Sequence, residues 1–165
     1  MAKAQDAIRI EEGALREQLT RLLRGGQAHA RFEEVARGIP PADRGRRPRG
    51  LPHSAWELLE HLRIAQWDIL EFSRNPAHVS PSFPDGYWPA TVAPPSAAAW
   101  TRSLRQFKDD LEAMVALVSE GDLWTPFPHG DGQTLLREAL LLADHNAYHL
   151  GQLVLVRRLL GNWTG

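Results

Sequence analysis

The sequence predicts an all-α protein, a four-helix bundle with a long crossover loop and an extra short helical segment after the first helix. Apolar residues recur at helical spacing in four long stretches, and no stretch alternates apolar and polar residues as a β-strand does. Segments rich in proline and glycine separate these stretches. With 165 residues, 43% of them hydrophobic and 24% charged, the chain fits one domain spanning residues 1–165.

The first bundle helix is predicted at residues 8–23 and ends at Gly25 and Gly26, because paired glycines are poor helix formers. A short helical segment follows at 27–37, and residues 38–53 have the glycine and proline content of a loop. The side chains expected to point inward are Ile8, Leu15, Leu19, Leu22 and Leu23 in the helix and Phe32, Val35 and Ala36 in the short segment.

The second bundle helix begins after Ser54, because Glu57 three residues later completes a capping box. It runs to about Phe72 and ends at Asn75. Residues 76–95 contain six prolines, so they are predicted to cross the bundle surface without regular structure. The inward-facing residues expected in this helix are Leu58, Leu62, Ala65 and Ile69.

The third bundle helix is capped by Ser96 and ends near Gly121. Thr134 precedes the last helix, residues 135–160, and Gly161 has the position of a C-terminal cap. The residues expected to face inward are Trp100, Leu104, Phe107, Leu111, Met114 and Leu117 in the third helix and Leu135, Leu142, His145, His149, Gln152 and Val156 in the last.

Histidines occupy three of the inward positions. His145 and His149 are one helical turn apart, so both rings can reach a single ion. His61 lies between Leu58 and Ala65 on the apolar face of the second bundle helix. Buried imidazoles without partners are unfavourable, and a shared cation would satisfy all three. They could instead be core histidines with ordinary hydrogen-bond partners, because spacing alone does not show that the two helices touch.

The four remaining histidines lie outside the predicted inward faces of the bundle helices. His53, His78 and His129 fall in loops and are expected to be solvated. His29 is a candidate to line the same cavity as the three inward histidines. There it could act as an acid–base group in catalysis, serve as a fourth ligand that closes the site, or have no role.

Three neutral imidazoles would leave a divalent transition metal its full charge and at least one open position, the pattern of catalytic zinc. Imidazole also suits nickel, copper and iron, so the ligands do not choose the metal. Asp144, Glu57 and Gln152 lie within about a turn of the ligands and could orient them, although the two carboxylates could equally be surface charges. The chain has no cysteine, so a thiol in the reaction would have to come from a cosubstrate.

Composition excludes several classes of partner. The formal net charge of −1 gives no reason to expect nucleic acid or an anionic membrane. The basic run at 44–49 is interpreted as a solvated loop. No apolar segment is long enough to span a bilayer, and the N-terminus lacks the apolar core of a signal peptide. With the absence of cysteine, these features favour the cytoplasm.

Two segments of the chain resemble the DinB/YfiT-like family of metalloenzymes. They are SAWELLEHLRIAQWDIL, which contains His61, and TLLREALLLADHNAYHLGQLVLVRRLLG, which contains the family's H-x-x-x-H-x-G-Q pattern at residues 145–152. The resemblance covers about residues 8–162, and residues 25–50 look like an addition. It implies a four-helix bundle, often dimeric, with nickel or zinc on the three histidines. It also implies membership of a superfamily that contains thiol-dependent enzymes, such as the bacillithiol transferases and the mycothiol-dependent maleylpyruvate isomerase.

Three classes of function therefore stay open. The first is a metal-dependent transferase or hydrolase acting on a small molecule, with a low-molecular-weight thiol as a possible cosubstrate. The second is a metal-binding stress or interaction protein without turnover, and the third is a bundle with structural histidines. The expected pocket is bordered by the first helix, the His29 segment and the loop at Tyr87 and Trp88. A homodimer is expected because six tryptophans in a small domain favour an aromatic interface.

Overall fold

The computed structural model describes the backbone of residues 2–164 and the side chains of residues 11–164. Within this range the chain is helical and contains no β-strand, so the all-α prediction is confirmed. The helices are α1 (Ala2–Arg24), α2 (Phe32–Ala36), α3 (Ala55–Arg74), α4 (Ala97–Glu120) and α5 (Leu135–Leu159). Short 3-10 turns lie at Pro41–Asp43 and Asp85–Tyr87, the second of them inside the crossover loop.

The three long helices after α1 begin where their capping residues predict. The Ser54 hydroxyl accepts from the Glu57 amide over 3.2 Å, and the Glu57 carboxylate accepts from the Ser54 amide over 2.8 Å. Ser96 caps α4 and Thr134 caps α5 in a similar way. The Ser96 hydroxyl accepts from the Ala99 amide, and the Thr134 hydroxyl accepts from the Arg137 amide. Each hydroxyl satisfies an amide that has no partner inside its own helix, which explains why these starts could be located from the sequence.

The first helix is longer than predicted, because it begins at Ala2. Leu19 and Leu23 are buried in the core, one turn apart, whereas Leu22 is 50% exposed and its inward prediction is wrong. Leu22 lies about 100° around the helix from Leu23, outside the stripe that the bundle covers. The Ile8 side chain lies outside the described residues.

The four long helices form the bundle, with α3 and α1 each in contact with both α4 and α5. The short helix α2 packs on top of them: Phe32 stacks on Phe107 with ring centroids 3.8 Å apart. The prediction of a helix over 27–37 is correct only for its second half, and the inward residues of that segment are all buried. Gly161 follows α5 with φ +73°, as expected for a C-terminal cap.

The basic run at 44–49 is a loop, as predicted, and Arg46, Arg47 and Arg49 are exposed, but Arg44 packs against the bundle. The Arg44 guanidinium lies 4.6 Å from the ring centre of Trp100, and its Nε donates to the Ile39 carbonyl. Arg47 forms an ion pair with Glu57 at the start of α3. Arginine combines a long apolar stem with a planar cation that stacks on aromatic rings, so a basic loop can pack onto a core.

Candidate metal centre

The three inward-facing histidines meet at one point between α3 and α5. The Nε2 atom of His61 lies 3.1 Å from Nε2 of His149 and 3.1 Å from Nε2 of His145. One ligand atom from each residue lies within 4.8 Å of the other two. His61 and His149 are buried, and His145 is partly buried. The arrangement presents three nitrogen donors to a single ion.

Hydrogen bonds outside the cluster fix the tautomers of two of these rings. His61 Nδ1 donates to the Tyr87 carbonyl over 2.9 Å, and His149 Nδ1 donates to Gln152 Oε1 over 2.8 Å. Because these oxygens only accept, each Nδ1 carries the ring proton and each Nε2 keeps a lone pair. His145 Nδ1 is buried and has no hydrogen-bond partner among the described residues, so packing alone holds that ring.

Burial keeps the three rings neutral near pH 7. Desolvation, followed by the charges of the other two histidines, lowers the pKa of His145 to about 4. Desolvation also lowers the pKa of His149 to about 4 and moves the pKa of His61 downward. The Nε2 atoms of His61 and His149 then carry lone pairs that point together at 3.1 Å and repel each other.

A cation between the three nitrogens removes that repulsion. A tetrahedral ion with metal–nitrogen distances of ~2.0–2.1 Å holds its ligands roughly 3.3 Å apart. The Nε2 atom of His61 lies 3.1 Å from that of each of the other two histidines, which is close to this value. The donor set also suits the ion, since neutral imidazole is a preferred ligand of zinc, nickel and copper. The residues present therefore fit a divalent transition metal.

Aromatic rings cover one side of the histidine cluster. Trp88 lies between His53 and His61, with ring centroids 4.0 Å apart on both sides and interplanar angles of 14° and 4°. His53 Nδ1 is buried without a partner among the described residues, and burial lowers the His53 pKa. The expectation that His53 is solvated therefore holds only in part, because the ring is partly exposed and the indole of Trp88 covers one of its faces. Sequence reasoning placed Trp88 near the pocket but missed His53.

An acidic residue ties the crossover loop to α3. The Tyr87 hydroxyl donates to Asp68 Oδ2 over 2.6 Å, and His78 Nε2 lies 2.7 Å from Asp68 Oδ1. Burial and the Asp68 carboxylate raise the pKa of Tyr87 to about 12, so the phenol keeps its proton. These bonds hold Tyr87, whose carbonyl orients His61. No local motif pointed to Asp68, because its partners lie beyond the end of its helix.

Two more loop histidines, His78 and His129, are less exposed than predicted. The His78 side chain is only 7% exposed, and His129 Nε2 donates to the Phe72 carbonyl over 2.8 Å. Both were expected to be solvated, and that expectation is wrong. Aromatic neighbours surround the two rings, Trp67 for His78 and Phe72 with Phe127 for His129. Packing between loop and helix decides their burial, and the turn residues around them carry no sign of it.

The structure does not bring His29 to the cluster. His29 is exposed, its Nδ1 donates to the Ala30 carbonyl, and it lines a cavity with Ala147 and Gly151 of α5. These two α5 residues are about 200° around the helix from His149, on the opposite face. The prediction that His29 lines the same cavity as the three histidines is therefore wrong.

Of the three residues proposed to orient the ligands, only Gln152 contacts one of the histidines. Glu57 instead caps α3 and pairs with Arg47, while Asp144 is exposed. A groove of about 120 Å³ lies next to Gln152. It is lined by Leu51, Pro52, His53, Leu58, Gln152, Leu155 and Val156. The loop at 51–53, rather than the His29 segment, therefore borders the space beside the cluster.

A helical bundle that directs imidazoles from two facing helices to one point has the architecture of a metal-binding bundle protein. The family model described as the DinB superfamily matches residues 25–153, a range that includes all three histidines. This chain belongs to the DinB superfamily. Comparisons with curated proteins and with solved structures gave no significant match. Within residues 2–164, every helix is too short or too polar to cross a bilayer.

Proposed function

We propose that the chain is a metal-dependent enzyme acting on a small molecule, either a thiol-dependent transferase or a hydrolase, with zinc or nickel held by His61, His145 and His149. One observation carries the proposal. Three Nε2 atoms converge in a site where burial keeps the rings neutral and their lone pairs available. Membership of the DinB superfamily supports it.

The bound ion would supply Lewis acidity that brings a water or a thiol toward its anionic form near neutral pH. The protein supplies the geometry. Gln152 and the Tyr87 carbonyl hold two of the rings with Nε2 directed inward. Trp88 covers the face of His61 and excludes water from it. Outer partners of this kind raise the basicity of the ligand and reduce its freedom to rotate.

The surroundings of the cluster favour a substrate with a small apolar group. The groove of about 120 Å³ next to Gln152 is mostly apolar, and it is too small for a large ligand. Three protein ligands leave room for substrate or cosubstrate at the ion. Because the 165-residue chain contains no cysteine, a thiol nucleophile would come from a low-molecular-weight cosubstrate.

Metal analysis tests the first part of the proposal. Untagged protein should contain about one zinc or nickel ion per chain, and cobalt(II) should give a visible absorption spectrum typical of nitrogen ligands. His61→Ala, His145→Ala and His149→Ala should each lose the ion. His29→Ala is the matched control, because His29 is exposed on the other face of α5. Full metal content in the three cluster variants would refute the site.

Turnover tests the second part. The metal-loaded protein is assayed with a panel of low-molecular-weight thiols and electrophiles, and with small hydrolysable esters and amides. Activity that disappears in His149→Ala and persists in His29→Ala supports an enzyme. A full complement of metal with no turnover across the panel would favour the alternative, a metal-binding protein without catalysis.

We also propose a homodimer in the cytoplasm. Leu141, Tyr148, Leu155 and Leu159 are exposed at heptad-like spacing along α5 and form an apolar stripe suited to a second helix. The stripe forms a continuous apolar face on α5, and an exposed apolar face of this kind can pack against the same face of a second copy. Light scattering over micromolar concentrations should give twice the chain mass, and Leu155→Glu should halve it. A monomer mass throughout would exclude the dimer.

A further inference from the structure

A second cavity lies on the face of α5 opposite the histidine cluster. We call it the α5 cavity, and it is the cavity that His29 lines. Its volume of about 470 Å³ falls within the ~300–1,000 Å³ typical of small-molecule sites. Ala30, Val35, Leu150 and Val154 supply apolar walls, and no carboxylate is among the lining residues.

Gly151 keeps this cavity open. Glycine inside a helix lowers helix stability relative to alanine, so it usually has a packing reason. A Cβ atom built on Gly151 meets no other atom within 4 Å, so no neighbour in the described chain requires the glycine. The missing side chain therefore leaves free volume in the wall of the α5 cavity.

Two arginines lie beside the cavity, and neither forms an ion pair within residues 11–164. Arg158 lies at its edge, is exposed, and forms no ion pair with any residue of 11–164. Arg157 is buried next to it, 4.7 Å from the ring centre of the lining residue Trp163. Among the described residues, its guanidinium donates only to backbone carbonyls and to the side chain and carbonyl of Asn162. Two uncompensated cations beside apolar walls attract an anion.

We propose that the α5 cavity binds a small amphipathic carboxylate, separately from the metal centre. The apolar body of the ligand lies against Val35, Leu150 and Val154, in the space beside Gly151. Its carboxylate faces Arg158, whose planar guanidinium can donate two parallel hydrogen bonds. The site accepts a saturated or aromatic acid, because all its lining residues other than Arg158 and His29 are apolar or aromatic.

Calorimetric titration of the full chain with sodium decanoate at pH 7 tests this proposal, with decan-1-ol as the uncharged control of equal length. We expect one decanoate per chain and at least roughly tenfold weaker binding of the alcohol, since the charged hydrogen bonds to Arg158 are lost. Arg158→Gln should weaken decanoate binding by a similar factor. Arg102→Gln, at an exposed position on α4, should leave it unchanged.

Gly151→Leu provides the second variant, because a Cβ at this position meets no atom within 4 Å and the rest of the side chain would occupy the free volume of the cavity. It should abolish decanoate binding and leave the cobalt spectrum of the histidine cluster intact, which shows that the variant is folded. The proposal is overturned if decanoate does not bind, if decan-1-ol binds equally well, or if Gly151→Leu has no effect. It is also overturned if light scattering shows a dimer that Gly151→Leu dissociates, because a second copy then occupies the cavity.

Discussion

His61 Nδ1 donates to the backbone carbonyl of Tyr87 over 2.9 Å, so a carbonyl of the crossover loop fixes the tautomer of a histidine in α3. Tyr87 is anchored in turn by its hydroxyl, which donates to the buried carboxylate of Asp68. The loop therefore does more than connect two helices. It supplies the outer hydrogen bond that directs one of the three nitrogen donors.

Tyr87→Phe should weaken metal binding by about tenfold, the lower end of the effect expected for an outer partner of a ligand. The carbonyl remains in this variant, but it loses the bond to Asp68 that holds it in place. Competition with a chromogenic zinc chelator measures the change. Tyr148→Phe is the control, because Tyr148 is 65% exposed and the variant keeps the ring that contacts His149. Equal affinities for the two variants would contradict the role given to Tyr87.

Gln152→Leu should weaken metal binding by about 10- to 100-fold, because His149 Nδ1 loses its acceptor and the ring is no longer held in one tautomer. Gln152→Glu keeps an acceptor oxygen and should retain most of the affinity. Gln106→Leu replaces an exposed glutamine of α4 and serves as the matched control. The prediction fails if the Leu and Glu variants at position 152 bind the metal equally well.

The stability of the metal-free protein should fall as the pH is lowered from about 6.5 to about 4. The pKa values of His145 and His149 are about 4 in the folded chain, below the ~6.5 of an unfolded histidine. In this window the unfolded state binds more protons, so the free energy of unfolding decreases with falling pH, whereas above the window these groups have no effect. Urea unfolding at pH 7 and pH 5 measures the difference.

A double variant, His145→Gln with His149→Gln, should lose most of this pH dependence, and His29→Gln should keep it. The same loss of stability between pH 7 and pH 5 in the double variant and in the unmodified chain would show that other groups are responsible. Added zinc should make the free energy of unfolding depend more steeply on pH, because protons compete with the metal for the same histidine nitrogens.

Ser54→Ala should lower the free energy of unfolding by about 2–4 kcal/mol. The substitution removes the cap of α3 and also leaves the Val92 carbonyl without its donor, which lies 2.6 Å away. Ser96→Ala removes only an exposed cap of α4 and should cost about 1 kcal/mol. Urea unfolding of both variants gives the comparison. If Ser96→Ala lowers the free energy of unfolding as much as Ser54→Ala does, the hydrogen bond to Val92 adds nothing to stability and the prediction is wrong.

The sequence by itself determined the helices and the inward-facing histidines. Ser54, Ser96 and Thr134 mark helix starts because each cap is a contact between residues three apart. The spacing of His145 and His149 is likewise a property of one helix, so their shared face follows from 3.6 residues per turn. Short-range geometry of this kind does not depend on the rest of the fold.

Only the tertiary structure decided what surrounds those histidines. The outer partner of His61 is a backbone carbonyl, which every residue carries, so no residue type could reveal it. The stack of His53 on Trp88 joins positions that are distant along the chain, and His29 lies on the far side of α5 although it was expected in the same cavity. Contacts between separate segments depend on how helices and loops pack against one another, and that packing is a property of the whole chain rather than of any local pattern.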